Sequence, residues 1–93
     1  EESPEDGYDL QQFMIPENCQ LVNNTVSQIN AKLKQINGPL LVGIAKHTGG
    51  GQFQLFPNPA DQMMLFPYDC LIVLGNQIEN GVVAEYLGVV QGR

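Results

Sequence analysis

The sequence predicts an α+β domain with the element order β-α-β-β-β-α, in which a mostly antiparallel sheet carries both helices on one face. Three observations support this class. One segment has helical periodicity with a capping signature, two short apolar runs have the length of buried strands, and three consecutive glycines separate two strand-like segments. With 93 residues and 43% hydrophobic composition, the chain suits one compact domain.

The first strand is predicted within residues 11–22, and the first helix follows it. Phe13 and Ile15 share one face of the extended segment, and Pro16 marks an edge or a bend. The helix covers 25–35, because Thr25 and Gln28 fit a capping box. Its apolar positions recur at helical spacing, at Val26, Ile29, Leu33 and Ile36.

The end of this helix is predicted at Asn37-Gly38-Pro39. Gly38 is expected to adopt the left-handed conformation that a helix end often requires. Pro39 cannot continue the helical hydrogen bonds.

Three further strands are predicted after this helix. Residues 40–46 and 70–75 are nearly continuous apolar runs, as expected of central strands that are covered on both faces. Residues 52–56 alternate polar with apolar side chains, and Gly49–Gly51 precede them. We therefore expect 52–56 to form a hairpin with 40–46.

The last segment has two interpretations. Asn76 with Glu79 resembles a helix start, whereas Asn80-Gly81 is a favourable hairpin turn. We choose the helix because apolar residues recur every four positions, at Ile78, Val82 and Tyr86. Gly88 then ends it.

The charge balance argues against a nucleic-acid partner. Ten acidic residues face four basic ones, which gives a formal net charge of −6. The basic residues form no patch of the kind that neutralises phosphates.

Residues 1–11 are predicted to be an acidic linker and 12–93 the folded domain. Because the first residue is glutamate rather than methionine, we expect a piece of a longer protein.

The sequence contains no residue pattern typical of a metal site or of a catalytic site. Cys19 and Cys70 are expected to be buried and reduced, with one disulfide as the alternative. His47 is the only histidine and no paired cysteines exist, so no metal site is predicted. No serine has a general base beside it in the sequence, as a serine nucleophile would require. Asp61 and Asp69 are more typical of turn-forming residues than of catalytic carboxylates. The chain is therefore predicted not to be an enzyme, with no catalytic residues.

The glycine run is interpreted as a hairpin loop rather than a phosphate loop, because it joins two strands instead of opening a helix. Lys46 and His47 stand beside it and could meet an anionic ligand. A second apolar cluster, at Met63, Met64, Leu65 and Phe66, fits either the core or a dimer contact equally well.

The motifs together resemble the C-terminal domain of the RCK family, regulators of potassium conductance, also called TrkA-C. The resemblance covers residues 13–88. Its first motif matches at Val22, Thr25 and Ile29, its second at Val42 and Ile44, and its third at Pro57, Pro59, Leu65, Asp69, Leu71, Val73, Leu74 and Gly75. Asn23 and Tyr68 stand where that family usually has glycine.

This resemblance implies a domain on the cytoplasmic face of the inner cell membrane that senses a ligand and biases a gate. It implies a homodimer and a membrane-embedded transport domain as partner, in a potassium channel or other cation transporter. Pro57, Pro59, Asp69 and Gly75 are then structural turn residues. The alternative is a small β-rich enzyme or a stand-alone binding protein of another family.

Some members of that family bind cyclic dinucleotides at the dimer interface, between the first helix and the next strand, with a basic residue and an asparagine. Here that region offers Lys32 and Lys34 and, at the start of the strand, Leu40. We do not assign this ligand from the sequence, because leucine lacks the expected polar group and the overall charge opposes two phosphates. The predicted ligand-binding residues are Lys34, Leu40, Lys46 and His47. No cofactor is predicted within the chain, and the ligand is an unidentified small molecule or nucleotide.

Overall fold

The computed structural model describes residues 7–89, and it has the predicted α+β architecture. The predictions for residues 1–6 and 90–93, which include most of the acidic linker and Arg93, lie outside the described residues. The elements are β1 (Asp9–Met14), α1 (Val26–Gln35), β2 (Leu40–Gly49), β3 (Gln52–Pro57), β4 (Cys70–Gly75) and α2 (Gln77–Leu87).

The four strands form one antiparallel sheet in the order β1-β4-β2-β3. The two apolar runs, β4 and β2, occupy the centre of the sheet, as predicted. The predicted cover on both faces was wrong, because the helices pack on one face and Leu40 of β2 is 60% exposed. The more polar strands β1 and β3 lie at the edges. The hairpin between β2 and β3 also forms as predicted, and Gly49, Gly50 and Gly51 all have positive φ in its loop.

The core lies between both helices and one face of the sheet. The sheet contributes Phe13, Ile44, Leu71 and Val73, which are at most 2% exposed. The helices contribute Val26, Ile29, Leu33, Val83, Ala84 and Leu87. None of the helices among residues 7–89 has the length and apolarity needed to cross a bilayer.

Helix α1 begins as predicted but ends differently in detail. The Thr25 hydroxyl accepts from the Gln28 amide, and the Gln28 side chain accepts from the Thr25 amide, which completes the capping box. At the other end Asn37, not Gly38, takes the left-handed conformation, with φ of 59°. Asparagine tolerates this conformation. The Gly38 amide then donates to the Leu33 carbonyl, as in a Schellman motif.

Helix α2 confirms the choice of helix over hairpin. Asn76 and Glu79 form the capping box, and Gly88 ends the helix in the left-handed conformation. The predicted apolar stripe was wrong, however. Ile78 is 66% exposed, and the buried stripe is Asn80, Val83, Ala84 and Leu87. The stripe was misplaced because Asn80 is polar and was not expected on the buried face.

The segment between β1 and α1 differs from the predicted long strand. Strand β1 ends at Met14, and residues 15–24 form turns that bury Ile15 and Leu21. Asn23 has φ of 68°, which is the left-handed conformation that explains glycine at this position of the RCK motif. Cys19 and Cys70 are both free thiols, and Cys70 is buried as expected, whereas Cys19 is only partly buried.

Candidate ligand site between α1 and β2

A pocket of about 340 Å³ lies between α1, the start of β2 and the end of β4. Its walls are mainly apolar, and a few polar groups converge on it, which is the usual composition of a small-molecule site. The lining residues are Tyr8, Asn30, Leu33, Lys34, Gly38, Pro39, Leu40, Leu41, Leu74 and Glu79.

The charged groups that line this pocket are one ammonium and one carboxylate. Lys34 lies in the last turn of α1 and is exposed. Glu79 is held in place, because its Oε1 accepts from the Asn76 amide at 2.9 Å. Asn30 adds an amide on the same helix as Lys34. The pocket can therefore bind one anionic group at Lys34 and an apolar or aromatic group against its walls.

Two chain segments make a close contact beside the pocket. Pro39, which follows the Schellman turn of α1, packs against the backbone of Gly75 at the end of β4. A Cβ atom at position 75 would lie 2.6 Å from Pro39 Cβ and 2.8 Å from Asn80 Oδ1. Only glycine allows β4 to approach this closely.

Asn80 holds this contact together, a role that the sequence did not predict. Its side chain is fully buried, and its Nδ2 donates to the Gly75 carbonyl at 3.1 Å and the Asp9 carbonyl at 3.3 Å. It thus joins α2 to the ends of β4 and β1. Within residues 7–89 its Oδ1 has no hydrogen-bond partner. The signal in the sequence was a polar residue inside an apolar helical segment.

Lys46 lies at the other end of β2, and its ammonium group is used inside the protein. Nζ donates to Asp69 Oδ2 at 2.5 Å and to the Met64 carbonyl at 2.6 Å. It also lies 4.4 Å from the centroid of the Phe66 ring. Lys46 therefore connects β2 to the 63–69 loop and does not project into the pocket.

His47 is equally distant from the pocket. Its ring packs edge-on against Phe53 and Tyr68, with centroids 5.4 Å and 6.3 Å away. The structure thus divides the four predicted ligand residues into two groups. Lys34 and Leu40 line one pocket, whereas Lys46 and His47 are six residues further along β2, roughly 20 Å away in an extended strand. Which group binds a ligand stays a prediction.

The predicted turn residues occupy the crossing from β3 to β4 and the end of β4. Pro57 ends β3 and Pro59 follows Asn58, whose amide donates to the Val42 carbonyl at 3.0 Å. Asp69 is 2% exposed and accepts from the Phe66 amide and the His47 amide, both at 2.8 Å. This is the geometry that a turn role requires.

Two titratable groups near β4 have shifted pKa values. Burial raises the pKa of the Cys70 thiol, which makes it a poor nucleophile at neutral pH. The Glu17 carboxylate raises the pKa of the exposed Tyr68 hydroxyl. Tyr68 has φ of 73°, so it keeps the left-handed conformation for which the RCK motif uses glycine.

Among residues 7–89 no cluster of three His, Cys, Asp or Glu side chains could hold a metal ion.

Comparison with solved structures decides the fold. The RCK_C domain dimer of S. agalactiae BusR in complex with c-di-AMP matches with a TM-score of 0.68 and 12% identity, over 86% of this chain and 90% of that chain. The chain has the RCK_C fold. S. agalactiae BusR in complex with its busAB-promotor DNA matches with a TM-score of 0.69 and 13% identity, over 90% of this chain. The sequence matches no protein-family model and no curated protein.

The RCK_C comparisons correct the predicted partners. The exclusion of nucleic acid and the membrane-embedded partner were wrong, because a matching chain of the same fold is a BusR protein bound to promoter DNA. The exclusion of nucleic acid rested on the charge of this chain alone, whereas the membrane-embedded partner was implied by the family resemblance. This chain spans only 38% of that BusR chain, so charge in one domain says little about what the rest of a protein binds.

Proposed function

We propose that this chain is a ligand-sensing, dimerising regulatory module that binds a cyclic dinucleotide in the pocket between α1 and β2. The observation that carries the proposal is the pocket itself, with Lys34 and Asn30 above apolar walls. The same fold in BusR forms a dimer in complex with c-di-AMP. A nucleotide suits such a site, because its base can pack on apolar walls while its phosphate meets the lysine.

The number of positive charges at the pocket favours a ligand with twofold symmetry bound to a twofold-symmetric dimer. Each copy of the chain supplies one lysine, Lys34, to the pocket. A symmetric dimer presents the same groups twice, so two Lys34 ammonium groups face the two phosphates of a cyclic dinucleotide. A ligand with this symmetry can also favour one arrangement of the two copies over another, which is what regulation requires.

Two sequence features argued against a cyclic dinucleotide: the negative net charge and the leucine at position 40. Neither opposes binding at this pocket. Four of the ten acidic residues lie within the first six positions of the sequence, ahead of the described residues 7–89. Leu40 lines a mainly apolar wall, where it can contact a base, and Asn30 supplies an amide nearby. Glu79 is the one carboxylate at the pocket, so we place the phosphate at Lys34, away from it.

We propose that the module belongs to a larger regulatory protein and passes the state of its ligand to another domain. The RCK resemblance makes cation transport the proposed regulated process. BusR bound to promoter DNA provides a precedent for an output other than a membrane gate. The absence of enzymatic activity and the location at the cytoplasmic face of the inner membrane stay predictions.

Calorimetric titration with c-di-AMP tests the pocket. We expect saturable binding, and we expect Lys34→Gln to weaken it about 10-fold to 100-fold, since a hydrogen bond to a charged group contributes about 1.5–3 kcal/mol. Lys32→Gln is the matched control. Lys32 lies on the same helix but faces the Tyr86 ring at 5.8 Å, so this variant should bind within about twofold of wild type. Equal loss in both variants, or no binding by wild type, would contradict the proposal.

A further inference from the structure

The pocket has two chemically different sides. Lys34 and Asn30 belong to α1, and the proposed function places the phosphate beside them. Tyr8 and Glu79 also line the pocket, but Tyr8 precedes β1 and Glu79 lies in the first turn of α2. In the sheet, β1 lies on the opposite side of β4 from β2. Tyr8 and Glu79 therefore form a second side of the pocket, to which the proposed function gives no role.

The chain that carries Tyr8 is held at the pocket by the next residue. Asp9 pairs with Gly75 in the sheet, and its carbonyl accepts from Asn80 Nδ2 at 3.3 Å. Tyr8 itself is 69% exposed, more than any other large apolar or aromatic side chain among residues 7–89. An exposed ring in this position can stack on a flat ligand group without disturbing the core.

Tyr8 offers the pocket a surface that suits a nucleobase. Of the ten lining residues within 7–89, Tyr8 alone is aromatic. Stacking of a base on an aromatic side chain is favourable for every base, because every base has a π-face. Tyr8 therefore contributes affinity for a nucleobase, but a choice between bases needs a hydrogen-bonding group.

Glu79 is the group that can make this choice. The capping box fixes its side chain at the start of α2, where Oε1 accepts from the Asn76 amide at 2.9 Å. A carboxylate has about four acceptor sites, so Glu79 keeps acceptor capacity for a ligand. Adenine carries a donor in its exocyclic amino group. Hypoxanthine carries a carbonyl oxygen at the same ring position, and a carboxylate repels that oxygen.

We propose that Tyr8 and Glu79 form the base-recognition side of the pocket, where Tyr8 stacks on the nucleobase and Glu79 accepts from its exocyclic amino group. The inference rests on the proposed function and names the base that the site selects, which is adenine. The pocket volume of about 340 Å³ is near the lower end of the roughly 300–1,000 Å³ of ligand pockets. This size suits one nucleotide unit of the ligand in each copy of the chain.

Calorimetric titration with c-di-AMP and with cyclic di-inosine monophosphate, in which oxygen replaces each amino group, tests Glu79. We expect wild type to bind the inosine ligand at least about 10-fold more weakly, because it loses a charge-assisted hydrogen bond. Glu79→Gln should narrow the difference to about threefold or less, since an amide both donates and accepts. Glutamine also serves at this position of a capping box, so α2 should persist, which circular dichroism checks.

Substitutions at Tyr8 test the stacking. Tyr8→Ala should weaken c-di-AMP binding about 5-fold to 100-fold, and Tyr8→Phe, which keeps the ring, should restore most of it. Tyr68→Ala is the matched control, because Tyr68 is 44% exposed and does not line the pocket. Tyrosine emission gives a second readout, since the chain has three tyrosines and no tryptophan. A stacked base should quench this emission in wild type but not in Tyr8→Phe.

The outcomes separate this inference from the proposed function. Equal affinity of wild type for the two ligands, or a preference for c-di-AMP that Glu79→Gln fully retains, overturns the inference alone. The same holds if Tyr8→Ala binds like wild type, or if c-di-AMP binds to wild type without quenching. A wild type that binds neither ligand removes the proposed function and this inference with it.

Discussion

Replacing Asp69 by alanine is expected to lower the free energy of unfolding by about 3 kcal/mol or more. The carboxylate is 2% exposed and accepts from the Lys46 ammonium, the His47 amide and the Phe66 amide. Alanine leaves two amide donors and a largely buried ammonium without their acceptor, and removing one partner of a buried pair typically costs about 3–5 kcal/mol. Lys46 is 19% exposed, so water recovers part of this cost.

Urea denaturation measures this change, with Asp61→Ala as control. Asp61 lies in the same crossing between β3 and β4, but its side chain is exposed, so its loss should change stability by less than about 0.5 kcal/mol. The midpoint should fall for Asp69→Ala while c-di-AMP binding at the distant pocket is retained under native conditions. An Asp69→Ala protein of unchanged stability that no longer binds ligand would make Asp69 a ligand residue and remove its structural role.

Replacing Gly75 by alanine is expected to cost about 2–3 kcal/mol for a different physical reason. The added methyl group would lie 2.6 Å from Pro39 Cβ, 2.8 Å from Asn80 Oδ1 and 3.0 Å from Glu79 Oε1. Such distances force the segments apart, and overpacking in a filled interior typically costs about 1–3 kcal/mol. Pro39 and Glu79 line the pocket, so ligand binding should weaken as well.

Gly43→Ala is the matched control for this substitution. Gly43 is also buried in a central strand, but a Cβ there would meet its nearest neighbours at 3.4 Å and 3.7 Å, which is ordinary van der Waals contact. Its thermal unfolding should stay close to that of wild type, helped by the lower entropy of the unfolded chain. If both variants unfold at the same temperature, a side chain at position 75 does not destabilise the protein, and the predicted steric cost is wrong.

The elements of the fold were predictable because their signals are local. Both capping boxes, Thr25 with Gln28 and Asn76 with Glu79, lie within four residues. The central position of β2 and β4 followed from their apolar runs. Gly38 was assigned a left-handed conformation that Asn37 adopts, because the sequence does not fix the last helical residue to better than one position.

The site was less predictable because it depends on pairs of residues that are far apart in sequence. Lys46 looked free beside the glycine loop, yet it is bonded to Asp69, 23 residues away. Asn80 was considered only as part of a hairpin turn, since its partners, Gly75 and Asp9, meet only when β1 pairs with β4. Leu40 looked unsuitable for a ligand because its apolar wall, shared with Leu74, forms only in the sheet.

Titration of the ¹⁵N-labelled chain with c-di-AMP, followed by amide chemical shifts, tests the central claim most directly. The account predicts saturable shifts at Asn30, Lys34, Gly38 and Leu41, which surround the pocket, with little change at Lys46 and His47. Shifts centred on Lys46, His47 and the glycine loop, or none at a saturating ligand concentration, would contradict it.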